Sequence, residues 1–195
     1  MIKNTVSLVA FAATVTFGSS AFAGGHGYTG PTFDLSGKWE EFRIGFLGDE
    51  AAADIIASNQ CLKDYIEAAY NIPAKLYTFK DYAATMESFA GGNLDWTWFG
   101  ASGYAGLYLQ DPEAGEPVMT RMQPTGDTGY YSVMVTLADS GIENIEDMKG
   151  KRLGFADPNS TSGYLIPSIE LGEQLGNLDD YFASAEFQGG HENGV

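Results

Sequence analysis

The chain has 195 residues, of which 44% are apolar and 18% charged, and its formal net charge is −16. That balance argues against nucleic acid and against anionic membrane surfaces as partners. Cys61 is the only cysteine, so the chain offers no internal disulfide; within the apolar spacing of Ile55, Ile56, Leu62 and Ile66 it is expected to be a small buried hydrophobe.

Lys3, an apolar run over 6–17 and Ala21-Phe22-Ala23 predict a secretory signal peptide over 1–23. The apolar run is shorter than the ~20 residues a membrane span requires, and Cys61 is too far away to carry a lipid at the new terminus. A soluble periplasmic chain beginning near Gly24 is therefore expected. Residues 24–40 are Gly-rich and polar and read as a flexible leader.

From there strand and helix patterns alternate. Residues 42–47 read as a strand, 50–70 as one long amphipathic helix, 74–79 as a strand and 81–90 as a helix ended by Gly91-Gly92. Residues 94–99 form a third predicted strand, 102–109 a short helix, 111–116 an acidic turn and 118–122 a fourth strand. Crossovers of this length call for a mostly parallel sheet covered by helices. The run 130–136 reads as a longer strand that breaks the rhythm; 142–150 is a helical turn, and the alternation restarts at Lys151. The fold class is thus α/β with two lobes, 41–136 and 137–195, joined at a hinge over 136–140. Residues 189–195 look like a loop entering another helix, so the second lobe is read as partial and the chain as part of a protein longer by ~100 residues.

The segment Asp157-Pro158-Asn159-Ser160-Thr161-Ser162-Gly163 lies between the predicted strand 151–156 and a helical pattern over 164–176. Its consecutive hydroxyls fall at a helix mouth, where unpartnered N–H groups and the macrodipole favour an anion. A single N-cap needs one hydroxyl, and this segment has more. Lys151 and Arg152 stand at the opposite end of the strand, so an anion here relies on neutral donors.

That motif, followed by Pro167 and Gly190-His191-Glu192, resembles the PhnD-type phosphonate, phosphite and phosphate solute-binding proteins of ABC importers, which are type 2 periplasmic binding proteins. Asp81-Tyr82-Ala83, Asp95-Trp96-Thr97-Trp98-Phe99-Gly100 and Gly129-Tyr130-Tyr131-Ser132 match in the same order. The resemblance runs from about Phe42 to the end. It implies two α/β lobes that close over a phosphonyl group and deliver it to a membrane permease. It also implies that Ser160, Thr161 and Ser162 donate to the phosphonyl oxygens, with Tyr82 and Tyr130 as phenol donors from the first lobe and His191 from the second. The acidic residues that hold a ligand amino group in this family come from beyond residue 195, and Ala101 stands where relatives carry Pro or Asn.

Taken without the resemblance, Tyr82 beside a capping Asp81 reads as a packing tyrosine. Alternation lets only one of Tyr130 and Tyr131 face a cleft. His191 in a Gly loop reads as solvated, although its place after a strand end favours function. An enzyme reading, with Ser160 or Ser162 and His191 as a triad, lacks a Gly-x-Ser-x-Gly elbow. A metal site on His191, Glu192 and Asp157 has too few strong ligands. The expectation is a monomeric binding protein with no catalytic activity, cofactor or metal. The alternative is a sensor ectodomain or binding protein of the same fold for another small oxyanion or a carboxylate.

Overall fold

The computed structural model describes residues 27–195, so the expected signal peptide lies outside the described residues. The first lobe is built on a parallel sheet of order β2-β1-β3, in which β1 (Phe42–Phe46) lies between β2 (Ala74–Thr78) and β3 (Trp96–Thr97). Ile44 pairs in register with Leu76 on one side and Trp96 on the other, and it is fully buried. β3 is shorter at both ends than its sequence pattern; just before it, the Asp95 N–H still donates to Arg43 O at 2.9 Å. The Asp95 carboxylate also takes the Arg43 backbone N–H at 2.8 Å and the Arg43 guanidinium at 2.7 Å, adding an ion pair beside the ladder.

The long helix expected over 50–70 is two helices, α1 (Ala52–Ser58) and α2 (Gln60–Tyr70). Between them, the Asn59 side-chain amide donates to the Ile55 carbonyl at 2.8 Å, alongside the Asn59 backbone N–H at 3.2 Å. The restart changes which residues face the core: Ile55 and Ala69 are buried, whereas Cys61 is exposed, contrary to its expected burial. α3 (Tyr82–Ala90) begins as its sequence suggests, with Asp81 Oδ1 accepting the Ala84 N–H at 2.8 Å. α4 (Ala101–Gln110) follows β3.

Residues 27–40 were expected to be a flexible leader, yet they lie along the end of α2. The Phe33 and Leu35 N–H groups donate to the Ala69 and Tyr70 carbonyls at 2.7 and 3.0 Å. These are helix C-terminal acceptors with no partner inside the helix. Stacking of Phe33 on Tyr70 reinforces the contact.

The segments 118–122 and 130–136 carry strand-like sequence but pair with no strand among the described residues. A strand requires a hydrogen-bonded neighbour. Val133 and Val135 are instead 74% and 65% exposed, and Arg121 is held over the Trp98 ring at 4.9 Å.

The second lobe contains β4 (Arg152–Phe155) parallel to β5 (Ser184–Phe187), with α5 (Ile166–Leu175) and α6 (Leu178–Tyr181). A wide π-type turn over Thr161–Leu165 leads into α5, its Leu165 N–H bonding to Ser160 O at 3.0 Å. Pro167 has no N–H to give to the Gly163 carbonyl, which accepts from Ala156 N at 2.9 Å instead. Such single π turns recur at functional sites.

Candidate functional site

Apart from Tyr130, the residues of the candidate site follow the carboxyl ends of strands. Asp49 comes after β1, Tyr82 after β2, Gly100 after β3, the 157–163 motif after β4 and His191 after β5. This is where open α/β sheets bind ligands.

The motif is set by a turn within itself. Asp157 Oδ1 accepts the Asn159 N–H at 2.7 Å, and the Asp157 carbonyl accepts the Ser160 N–H at 2.9 Å. Ser160 is only 2% exposed. Its hydroxyl accepts the Gly163 N–H at 3.0 Å, which is the capping role, and also lies 3.1 Å from His191 Nε2. The Tyr82 phenol, 4% exposed, interacts with that same hydroxyl from the first lobe and reaches Asp49 Oδ2 at 3.5 Å. Asp49 and Tyr82 of the first lobe thus stand against Ser160 and His191 of the second. Burial, then the negative charges of Asp49 and Asp157, push the Tyr82 hydroxyl far above its ordinary range. It stays a neutral donor at any working pH.

Thr161 and Tyr130 both approach Gly100 elsewhere on the same boundary. A Cβ on Gly100 would lie 2.8 Å from Thr161 Oγ1 and 3.8 Å from the Tyr130 hydroxyl, so the absence of a side chain there allows both to approach. Tyr130 itself is 60% exposed. Ser162 is less directly engaged: its carbonyl accepts the Ser132 hydroxyl at 2.6 Å. With Ser132, Gly163 and His191 it lines a cavity of about 670 Å³, which Val133, Phe155 and Phe182 and the basic Lys151 and Arg152 also line.

Two contacts across the boundary were not anticipated from the sequence. Thr161 Oγ1 accepts the Ser102 N–H at 2.8 Å in the first turn of α4, whose own N-cap, Gly100, has no side chain. Glu192 Oε2 accepts the Ala51 N–H at 2.6 Å at the start of α1, whose own N-cap, Ala51, likewise supplies no side-chain bond. The second lobe therefore caps two helices of the first, and the Glu192 N–H adds a bond to Asp49 O at 3.2 Å. Glu192→Ala is expected to shift the protein severalfold toward an open arrangement, seen as a larger radius of gyration in small-angle scattering. An unchanged radius would show that the cap does not hold the lobes.

A model of the periplasmic substrate-binding proteins of phosphonate ABC transporters matches residues 44–195. The chain belongs to this family. The phosphate-import protein PhnD of Mycolicibacterium smegmatis is 28% identical over 161 residues, covering 79% of this chain and 50% of that protein. The phosphonates-binding periplasmic protein of Escherichia coli is 29% identical over 106 residues, covering 52% of this chain and 31% of that protein. Among solved structures, a binding-protein component of an ABC phosphonate transporter from Pseudomonas aeruginosa superposes with a TM-score of 0.68 at 23% identity, covering 75% of this chain and 50% of the other. PhnD1 from Prochlorococcus marinus, solved with methylphosphonate, gives 0.62 at 21% identity, covering 80% and 58%. The phosphonate-binding family member described here thus has the two-lobed fold of type 2 periplasmic binding proteins, and spans half or less of the length of these curated relatives.

Proposed function

We propose that this chain is the solute-binding component of an ABC importer and holds a phosphonate, phosphite or phosphate between its lobes. The observation that carries this reading is the meeting of Tyr82 from one lobe with Ser160 and His191 from the other. A phenol, a hydroxyl, an imidazole and the N–H groups of a helix mouth can surround a tetrahedral oxyanion without a formal cation, each charge-assisted bond contributing about 1.5–3 kcal/mol. Thr161, Ser162 and Tyr130 complete the donor set, entering from the adjoining edge of the same boundary. The protein performs no chemistry on the ligand. It acts as a periplasmic monomer, exported by its signal peptide, and passes the ligand to a membrane permease.

Closure is proposed to turn on residues 136–140, where the Ser140 N–H bonds to Leu137 O at 3.0 Å and Thr136 Oγ1 to Ser140 Oγ at 3.1 Å. Ligand contacts made in the closed arrangement alone are what shift the equilibrium toward it. Calorimetric titration with methylphosphonate, phosphite, phosphate and sulfate tests the reading. Binding of one phosphorus oxyanion at about 1 µM or tighter, about −8 kcal/mol, with sulfate silent, is expected. Silence of a folded protein toward all of them would refute it.

A further inference from the structure

Asp49 stands among the groups proposed to hold the oxyanion. Its Oδ2 is 3.5 Å from the Tyr82 hydroxyl, and its own carbonyl is tied to the Glu192 N–H at 3.2 Å, so it is held at the lobe boundary. A second carboxylate, Asp157, is 4% exposed and acts on Tyr82 from the other side. The hydrogen bonds joining Tyr82, Ser160, Thr161 and His191 run to hydroxyls, backbone N–H groups and a carboxylate. Arg43, Lys63, Lys75 and Lys80 are paired with Asp95, Glu67, Glu41 and Asp81.

A dianion seated on these donors would meet the charge of Asp49 in a half-buried place, where repulsion is screened less than in water. One proton between the two turns that repulsion into a charge-assisted hydrogen bond. We propose that Asp49 shares a proton with an oxygen of the bound ligand, so that the site selects phosphorus oxyanions over sulfate. This rests on the function proposed above. Oxyanions of the phosphate type take up their second proton near ~6, within reach of physiological pH, and sulfate has no such oxygen. Burial raises the Asp49 carboxyl above its ordinary range, only partly opposed by its backbone hydrogen bond, the nearby His191 and the Tyr82 hydroxyl. The ionisable groups facing it are Tyr82 on α3 and His191 with Glu192 on the segment after β5.

The test is calorimetric titration of the parent and Asp49→Asn with methylphosphonate, 2-aminoethylphosphonate and sulfate near neutral pH. The parent is expected to prefer methylphosphonate over sulfate by about a hundredfold or more. The carboxamide of the variant donates without needing a proton, so the preference should narrow by about tenfold or more, chiefly through gained sulfate binding. Asp49→Ser gives the same narrowing by removing the charge, and keeps the test decisive if the carboxamide disturbs folding. An unchanged preference in both variants, with methylphosphonate still bound, overturns the inference and leaves the proposed function standing. Loss of 2-aminoethylphosphonate alone overturns it as well, because Asp49 would then be holding a ligand ammonium. Silence of the parent toward every ligand removes the function and this inference together.

Discussion

Gly163→Ala is expected to cost the protein its affinity for phosphorus oxyanions and to lower its thermal stability. A Cβ at this position would lie 2.5 Å from Ala156 Cβ, 2.8 Å from His191 Cε1 and 3.0 Å from Ser160 Oγ. The first neighbour cannot yield easily, because the Ala156 N–H is bonded to the Gly163 carbonyl at 2.9 Å and Ala156 is itself buried. His191 can yield, and its displacement takes the imidazole away from Ser160. The substitution therefore separates the groups that the proposed site requires to be together. Overpacking of this kind costs about 2 kcal/mol, which for a chain of this size is a fall of roughly 4–8 °C in melting temperature. The loss of affinity for methylphosphonate should reach about a hundredfold, as misplacement by ~1 Å can produce. Calorimetry and thermal melting of the variant read both quantities. Parent-like values would show that the motif has room to spare and that His191 is not held by Gly163.

Ser160→Ala is expected to separate stability from binding less sharply, since the hydroxyl serves both. It caps the turn through the Gly163 N–H, lies 3.1 Å from His191 Nε2 and interacts with the Tyr82 phenol, all at a position that is 2% exposed. Its removal leaves the part-buried Gly163 N–H without its acceptor and takes a polar neighbour from the Tyr82 hydroxyl, a cost of about 1–3 kcal/mol. If the hydroxyl also donates to the ligand, affinity falls by about tenfold or more beyond what the unfolding measurement accounts for. Denaturant unfolding alongside titration distinguishes the cases. Reduced stability with parent affinity would make Ser160 a helix cap and nothing else.

The parts of the fold that depend on neighbouring residues were legible in the sequence. Asp81 caps α3 as its position suggests, and the alternation of strands and helices gives both sheets. The break at Asn59 was not legible, because the helical apolar spacing continues through it. The run 130–136 shows the opposite limit: its composition suits a strand, but pairing is a property of the neighbour.

The site divides in the same way. The 157–163 motif announces itself by local chemistry, with its hydroxyls crowded at a helix mouth. Asp49 and Glu192 do not. Glu192 reaches Ala51 across 141 positions of sequence, and nothing in either segment names the other. The signal available was indirect: α1 and α4 begin without capping side chains of their own, which leaves their N–H groups to be satisfied from elsewhere. Asp49 could have been singled out by its place at the carboxyl end of β1, beside the Tyr82 that follows β2.

The central claim is that an oxyanion sits where Tyr82, Ser160 and His191 converge. Backbone amide resonances of the isotope-labelled protein, followed during titration with methylphosphonate, test it most directly. Saturable shifts concentrated at Thr161, Ser162, Gly163 and His191, with smaller ones at Tyr82, are predicted. Saturable binding whose shifts fall instead along Val133, Phe155 and Phe182, with the 160–163 amides unmoved, would place the ligand in the apolar part of the cavity beside β4 and contradict the account.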